Sequence, residues 1–154
     1  MKIRFFKKSD TEQVTRLFSD TVRIVNKQHY SEEQIRAWAP DNIHFQDWEK
    51  ACLEKFTLVA EIDGMILGFA QFEDNGHIDC FYCHHEHQRQ GIGSKLYEAI
   101  EAYAYKKGIA KIYTEASITA RPFFLKMGFK HVQKQKVLVR GEVLINYVME
   151  KGIA

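Results

Sequence analysis

The stretch Gln88-Arg89-Gln90-Gly91-Ile92-Gly93-Ser94-Lys95 holds the residue types and spacing best suited to chemistry. The apolar run at residues 78–83 reads as a strand, and Ile92, Leu96, Ile100, Tyr103 and Ala104 then recur at helical spacing. A loop between a strand and a helix aims unpaired main-chain N–H groups and the positive end of a helix dipole at one point, which suits an anion. Gly91 and Gly93 let the main chain approach a bulky phosphate with no Cβ in the way. Arg89 and Lys95 flank the loop and can add charge-assisted contacts. Two familiar phosphate loops do not fit. A P-loop needs a glycine directly before its Lys-Ser/Thr pair, and the dinucleotide fingerprint needs a third glycine where Leu96 stands. The same spacing also fits a plain strand-to-helix turn.

Other residues carry titratable groups nearby. By the two-residue period of a strand, His77, Asp79, Phe81 and Cys83 share one face. A histidine titrates near neutrality and can take a proton directly or through water; following Asn75-Gly76, it can equally be an exposed turn residue. Asp79 and Glu115 are open to the same two readings, a catalytic carboxylate or a solvated one. Cys80-Phe81-Tyr82-Cys83-His84 fits the C-x-x-C-H haem pattern, and His85 and His87 follow. Cysteines three apart on a strand point to opposite faces and do not converge on an ion. The expectation is no metal and no haem, with Cys83 a small buried hydrophobe and the histidines in a loop.

The totals bound the rest. At 154 residues the chain is read as a single domain, 1–154, long enough to bury a core. Apolar content of 45% and charged content of 27% are those of a soluble globular protein. A formal charge of +2, from 22 basic and 20 acidic residues, gives no reason to expect nucleic acid or a membrane as partner. Met1-Lys2-Ile3-Arg4-Phe5 does not read as a secretory segment, and three cysteines are an odd number, so the expected compartment is a reducing cytoplasm.

Along the chain, residues 3–6 read as a short strand. Ser9 with Glu12 predicts a capping box opening a helix that ends near Asn26, and Ser31 with Gln34 predicts a second one opening a helix over 32–38. Residues 41–55 suggest a further short helix. Three strands then follow as a meander, 56–62, 65–73 and 77–83, turned at Asp63-Gly64 and Asn75-Gly76. After a helix over 91–107 come a strand at 111–116, plausibly parallel to the one before the loop, and a helix at 119–127. Strands 130–139 and 143–149 pair across Arg140-Gly141-Glu142.

Gln88, Gly91 and Gly93 fill the pattern Q/R-x-x-G-x-G/A, and Ala120, Phe124, Gly128 and Phe129 fill A-x-x-x-[YF]-x-x-x-G-F. With these two motifs and that order of elements, nearly the whole chain resembles the GNAT superfamily of acyl-CoA-dependent N-acetyltransferases. Residues 115–124 and 30–38 are similar to a subgroup of uncharacterised bacterial-type members. The resemblance implies an α/β (α+β) fold: a mixed, mostly antiparallel seven-stranded sheet with helices on both faces and a splay between strands 4 and 5.

The resemblance also implies roles. Acetyl-CoA would be the cosubstrate, with its pantetheine arm on main-chain groups of Phe81, Tyr82 and Cys83, one N–H near Tyr82 or Cys83 polarising the thioester. Its pyrophosphate would lie on the loop, Gln88, Arg89, Gln90, Gly91, Ile92, Gly93 and Ser94. Phe124 stands where many members place an acidic tyrosine, and Ser117 is nearest to an asparagine position at the end of the fifth strand. For the base, His77 falls where histone-acetylating relatives have a glutamate, Glu115 resembles the base position of ribosomal-protein relatives, and Asp79 is the third candidate. The acceptor, a small-molecule amine or a protein amino group, would enter beside His29 and Tyr30. A homodimer stays open. The leading expectation is direct acetyl transfer in a ternary complex. The alternatives are a GNAT-fold module that binds acyl-CoA without turnover, and an enzyme that uses a longer acyl chain.

Overall fold

Turn chemistry sets the order of the strands. Asp63 and Gly64 both take positive φ, 50° and 80°, as do Arg140 and Gly141 at 45° and 85°, the geometry that lets tight hairpins match strand twist. The computed structural model describes residues 1–42, 44–88 and 90–154. Its elements are β1 (Lys2–Phe5), α1 (Thr11–Ile24), α2 (Glu32–Trp38), α3 (Phe45–Glu54), β2 (Phe56–Ile62), β3 (Met65–Phe72), β4 (His77–Cys83), α4 (Ile92–Lys106), β5 (Lys111–Ser117), α5 (Arg121–Lys126), β6 (Lys130–Val139) and β7 (Glu142–Gly152). Among the described residues, seven strands form one sheet in the order β1-β2-β3-β4-β5-β7-β6. The β4–β5 pair is parallel and the others antiparallel, as expected for the GNAT-like fold.

Each face of the sheet buries its own core. One lies under α4 and α5, where Ile78, Leu96, Ile100, Ile112 and Phe124 meet. The other lies under the first three helices, where Val14, Phe18, Val59, Phe69 and Leu144 meet. No helix of the described residues is long and apolar enough to cross a membrane.

The capping box of α2 forms as read: Gln34 N–H donates to Ser31 Oγ at 3.1 Å, and Ser31 N–H donates to Gln34 Oε1 at 2.8 Å. The box read at Ser9 and Glu12 does not form. A 3-10 turn at Lys8–Asp10 precedes α1, and the Asp10 carboxylate accepts from Lys7 N–H at 2.8 Å. Arg4 grips the same carboxylate with two bonds, 2.8 and 2.9 Å, while also reaching Glu61. A bidentate, charge-assisted pair outweighs a serine cap. The first helix ends at Ile24, with a 3-10 turn over Asn26–Gln28 beyond it, and α5 is shorter than the predicted 119–127.

The parallel junction is brief. Only His77 with Tyr113 and Ile78 with Thr114 pair across β4 and β5. There Tyr113 N–H donates to Gly76 O and Thr114 Oγ to Ile78 O, both at 2.9 Å. Beyond, β4 stays with β3 and β5 with β7, so the two strands part. Phe81 stacks on Phe123 at 5.1 Å and meets Phe124 edge-on at 5.5 Å, an aromatic wedge in the opening. A bulge at Asp79 also changes the sidedness of β4: Phe72 pairs with Ile78, but Gln71 pairs with Cys80. Phe81 and Cys83 therefore pack with Ile78 on the α4 side, while Cys80 and Tyr82 turn to the other. The single face expected for His77, Asp79, Phe81 and Cys83 is broken by that extra residue.

Gly76 is the tightest point of this junction. Its φ is +95°, and a Cβ there would lie 2.2 Å from the Lys111 carbonyl oxygen. Gly76→Ala should cost about 2–4 kcal/mol of stability in denaturant unfolding, because a main-chain atom cannot step aside.

Candidate active site

Where β4 leaves β5, main-chain groups lose their sheet partner. His84 N–H donates to Leu67 O at 2.7 Å, so by antiparallel alternation Tyr82 bonds β3 while Phe81 and Cys83 turn their main chain toward the gap. The Cys83 carbonyl accepts from Thr21 Oγ at 2.9 Å and from Gln88 Nε2 at 2.7 Å. Gln88 also donates to His84 O, so its side chain spends its donors shaping the loop.

The loop then opens α4 without a side-chain cap. Gly91 occupies the N-cap with φ 82°, and the first intrahelical bond runs from Lys95 N–H to Gly91 O at 3.1 Å. The N–H groups of Ile92, Gly93 and Ser94 thus lack helical partners at the positive end of a 15-residue helix. Ile92 anchors this turn in the core. The two glycines have different reasons. Nothing lies within 4 Å of a Cβ placed on Gly91, so backbone conformation alone demands glycine and the space stays clear for an anion. At Gly93 a Cβ would meet the Phe123 ring at 3.0 Å and Cys83 Sγ at 3.5 Å, so close packing by α5 demands it. Arg89 lies outside the described residues.

The acidic and basic groups gather on the opposite face, at the closed end of the gap. His77 bonds Glu73 through Nδ1 at 2.6 Å and Glu115 through Nε2 at 2.8 Å, and its ring stacks on Tyr113. Burial works against the imidazolium, but the two carboxylate bonds overcome it, and its pKa lies above the ordinary histidine value. With both nitrogens hydrogen-bonded and only 14% of its side chain exposed, His77 is a clamp between Glu73 and Glu115. Asp79 pairs with Lys55. Glu73, His77 and Asp79 each bring a ligand atom within 4.8 Å of one another, already matched by these ion pairs. Glu73 was missed in the sequence, although it flanks the Asn75-Gly76 turn directly across from His77, an opposite-charge cross-strand pair.

The remaining expected site residues are placed as follows. Ser117 Oγ accepts from Ala120 N–H at 3.0 Å, fixing the turn into α5. Phe124 is buried, with no hydroxyl to offer. His29 Nδ1 meets Thr119 Oγ at 2.9 Å on the surface. Tyr30 is a buried clamp: its hydroxyl donates to Ile145 O at 2.6 Å and accepts from Ile118 N–H at 2.9 Å. Burial pushes the Cys83 thiol up to about 12 and raises Cys80 also, so both stay protonated near neutrality.

This geometry has known counterparts. The family described as Acetyltransferase (GNAT) domain matches residues 26–151. The uncharacterised N-acetyltransferase YafP of Escherichia coli (strain K12) is 32% identical over 149 residues, 97% of this chain and 94% of that protein. The chain belongs to the GNAT acetyltransferase family. A GCN5-related N-acetyltransferase (aminotransferase, class-II) from Rhodopseudomonas palustris superposes on this GNAT chain with a TM-score of 0.94 at 29% identity, over 98% of this chain and 94% of that one. The PaiA N-acetyltransferase from Thermoplasma acidophilum, solved in complex with coenzyme A, shares the fold at 20% identity and a TM-score of 0.81, over 98% of each chain.

The His77 clamp of this acetyltransferase has a testable sign. A raised folded-state pKa means that its stabilisation is complete below about pH 6.5 and fades as pH rises through the raised value. His77→Gln should cost about 1–2 kcal/mol at about pH 6 and progressively less toward about pH 9, measured by urea unfolding. A difference that does not shrink would mean that the imidazole is held neutral.

Proposed function

We propose that this chain transfers an acetyl group from acetyl-CoA to a primary amine by direct attack in a ternary complex, acting as one cytoplasmic domain over residues 1–154. The observation that carries this is the gap between β4 and β5 opening beside the uncapped start of α4. The extended pantetheine arm takes the place of a strand along Phe81 and Cys83, whose main chain faces the gap. The diphosphate sits against the N–H groups of Ile92, Gly93 and Ser94, with Gly91 leaving it room. A Cys83 N–H donor polarises the thioester carbonyl where negative charge develops.

The acceptor comes from the other face. A primary amine with a pKa near that of lysine, about 10.4, is mostly ammonium at neutral pH, so a proton must leave before attack. We assign that proton to Glu115, about one-third exposed and hydrogen-bonded to His77, reached through water. The amine nitrogen then bonds the carbonyl carbon and sheds its second proton to water as the carbon–sulfur bond breaks, and the departing thiolate takes a proton from that water, since Phe124 has none to give. Protonated, part-buried Cys80 and Cys83 support direct attack over an acetyl-cysteine intermediate. The three free cysteines accord with a reducing compartment.

Gly91→Asp tests the cofactor half. A carboxylate beside the diphosphate should weaken acetyl-CoA binding by about 100-fold or more in titration calorimetry. The fold should lose only about 1 kcal/mol, since aspartate tolerates left-handed φ. Gly141→Asp, equally left-handed and open at φ 85° but in the β6–β7 turn, should leave binding unchanged. Release of free thiol with a panel of amines separates an enzyme from a module that only binds acyl-CoA.

A further inference from the structure

A small pocket on the face of the first three helices takes no part in the chemistry above. Phe18, Trp38 and Trp48 line it together with the polar His44, Asp47 and Arg140, and its volume is about 180 Å³. Resting on the transferase assignment, we propose that this pocket seats the far end of the acceptor, and that the acceptor is an arylalkylamine, a primary amine joined by a short chain to one aromatic ring.

Size, wall chemistry, position and charge converge on that class. A cavity of about 150 Å³ accommodates benzene, so by size this pocket suits one ring and little more, with polar groups beside it. Three aromatic side chains offer faces and edges for offset or edge-on stacking. Phe18 lies edge-on to Tyr82 at 5.1 Å, and Tyr82 rises from the stretch of β4 that has left β5. A spacer about as long as the Tyr82 side chain therefore joins the pocket to the reacting end. Carboxylates of Glu73, Asp79 and Glu115 gather around His77 at the closed end of the gap, where they favour the ammonium.

The rim excludes other occupants. Arg140 donates from Nη1 to Ala37 O at 2.6 Å, which fixes its guanidinium by the mouth, and it does so at a φ of 45° that a non-glycine residue rarely takes. That charge opposes the distal ammonium of a polyamine. Asp47 opposes a carboxylate. Asp47 and Arg140 both line the pocket, where each can meet hydrogen-bonding groups on the edge of a ring.

The chain's two tryptophans both line this pocket, so their emission reports its occupancy. Titrating the full chain with phenethylamine should give a saturable change in tryptophan emission, while butylamine and spermidine give none. Trp48→Leu should lower kcat/KM for phenethylamine about tenfold and leave that for butylamine within about twofold. A flat titration with phenethylamine, or an equal response to butylamine or to 2-phenylethanol, overturns the proposal, and the wild-type titration decides it even if the variant fails to fold. Calorimetry with acetyl-CoA on the same sample separates the two claims. Binding and thiol release with a ringless amine, alongside flat emission, would leave the transferase standing and remove the acceptor class. Absence of acetyl-CoA binding would remove the transferase itself.

Discussion

The site depends on a junction of two residue pairs between β4 and β5. A parallel pair that continued would satisfy every main-chain group of β4 and leave nothing for a ligand. Here the seam closes at Gly76, where the chain has no room for a Cβ, and stops after Ile78. Phe81, Phe123 and Phe124 pack together on the α4 side of the opening and leave the edge of β4 free. The cost of unpaired main-chain groups is avoided only if something else bonds them, and Thr21 and Gln88 already do so for the Cys83 carbonyl. The polar groups still turned to the gap are the ones available to an extended ligand.

Charge is sorted across the gap. On one side the uncapped start of α4 presents partial positive charge. On the other, Glu73 and Glu115 pair with His77 and Asp79 with Lys55, which leaves one negative charge in excess with the histidine protonated. A diphosphate and an ammonium are thus drawn to opposite sides, and each is disfavoured in the other's place. The His77 clamp serves both fold and charge: it ties the β3–β4 turn to β5 and holds two carboxylates close together that would otherwise repel.

Most of the fold was legible because turns and helix caps are local. Asp63-Gly64, Asn75-Gly76 and the Ser31–Gln34 box fixed element order from a few residues each. The loop at Gly91 was legible as an anion site, but the reason for Gly93 was not, since it depends on Phe123 arriving from thirty residues away in sequence. The Ser9–Glu12 box failed because Arg4 and Asp10 offered a stronger bond that only tertiary contact reveals. The bulge at Asp79 was invisible to a two-residue period and reversed the sidedness of Phe81 and Cys83. His77 could be named as titratable, yet its role as a clamp rests on Glu115, which reaches it only through folding. The aromatic pocket joins Phe18, Trp38 and Trp48 from three helices with Arg140 from the β6–β7 turn, and no local pattern announces it.

The distribution of titratable groups matches what the reaction has to manage. A thiol ionises near pH 8.5 and an alkyl ammonium near 10.4, by ordinary values, so the thiolate leaves without help more readily than the amine sheds its proton. An enzyme with one well-placed proton carrier gains more by placing it beside the amine. Here the side toward α5 is apolar, built from Phe81, Phe123, Phe124 and a protonated Cys83, while the carboxylates and His77 crowd the opposite face. Phe124 in place of a tyrosine is then no defect in the design. In the proposed reaction it leaves proton transfer where the larger pKa mismatch lies.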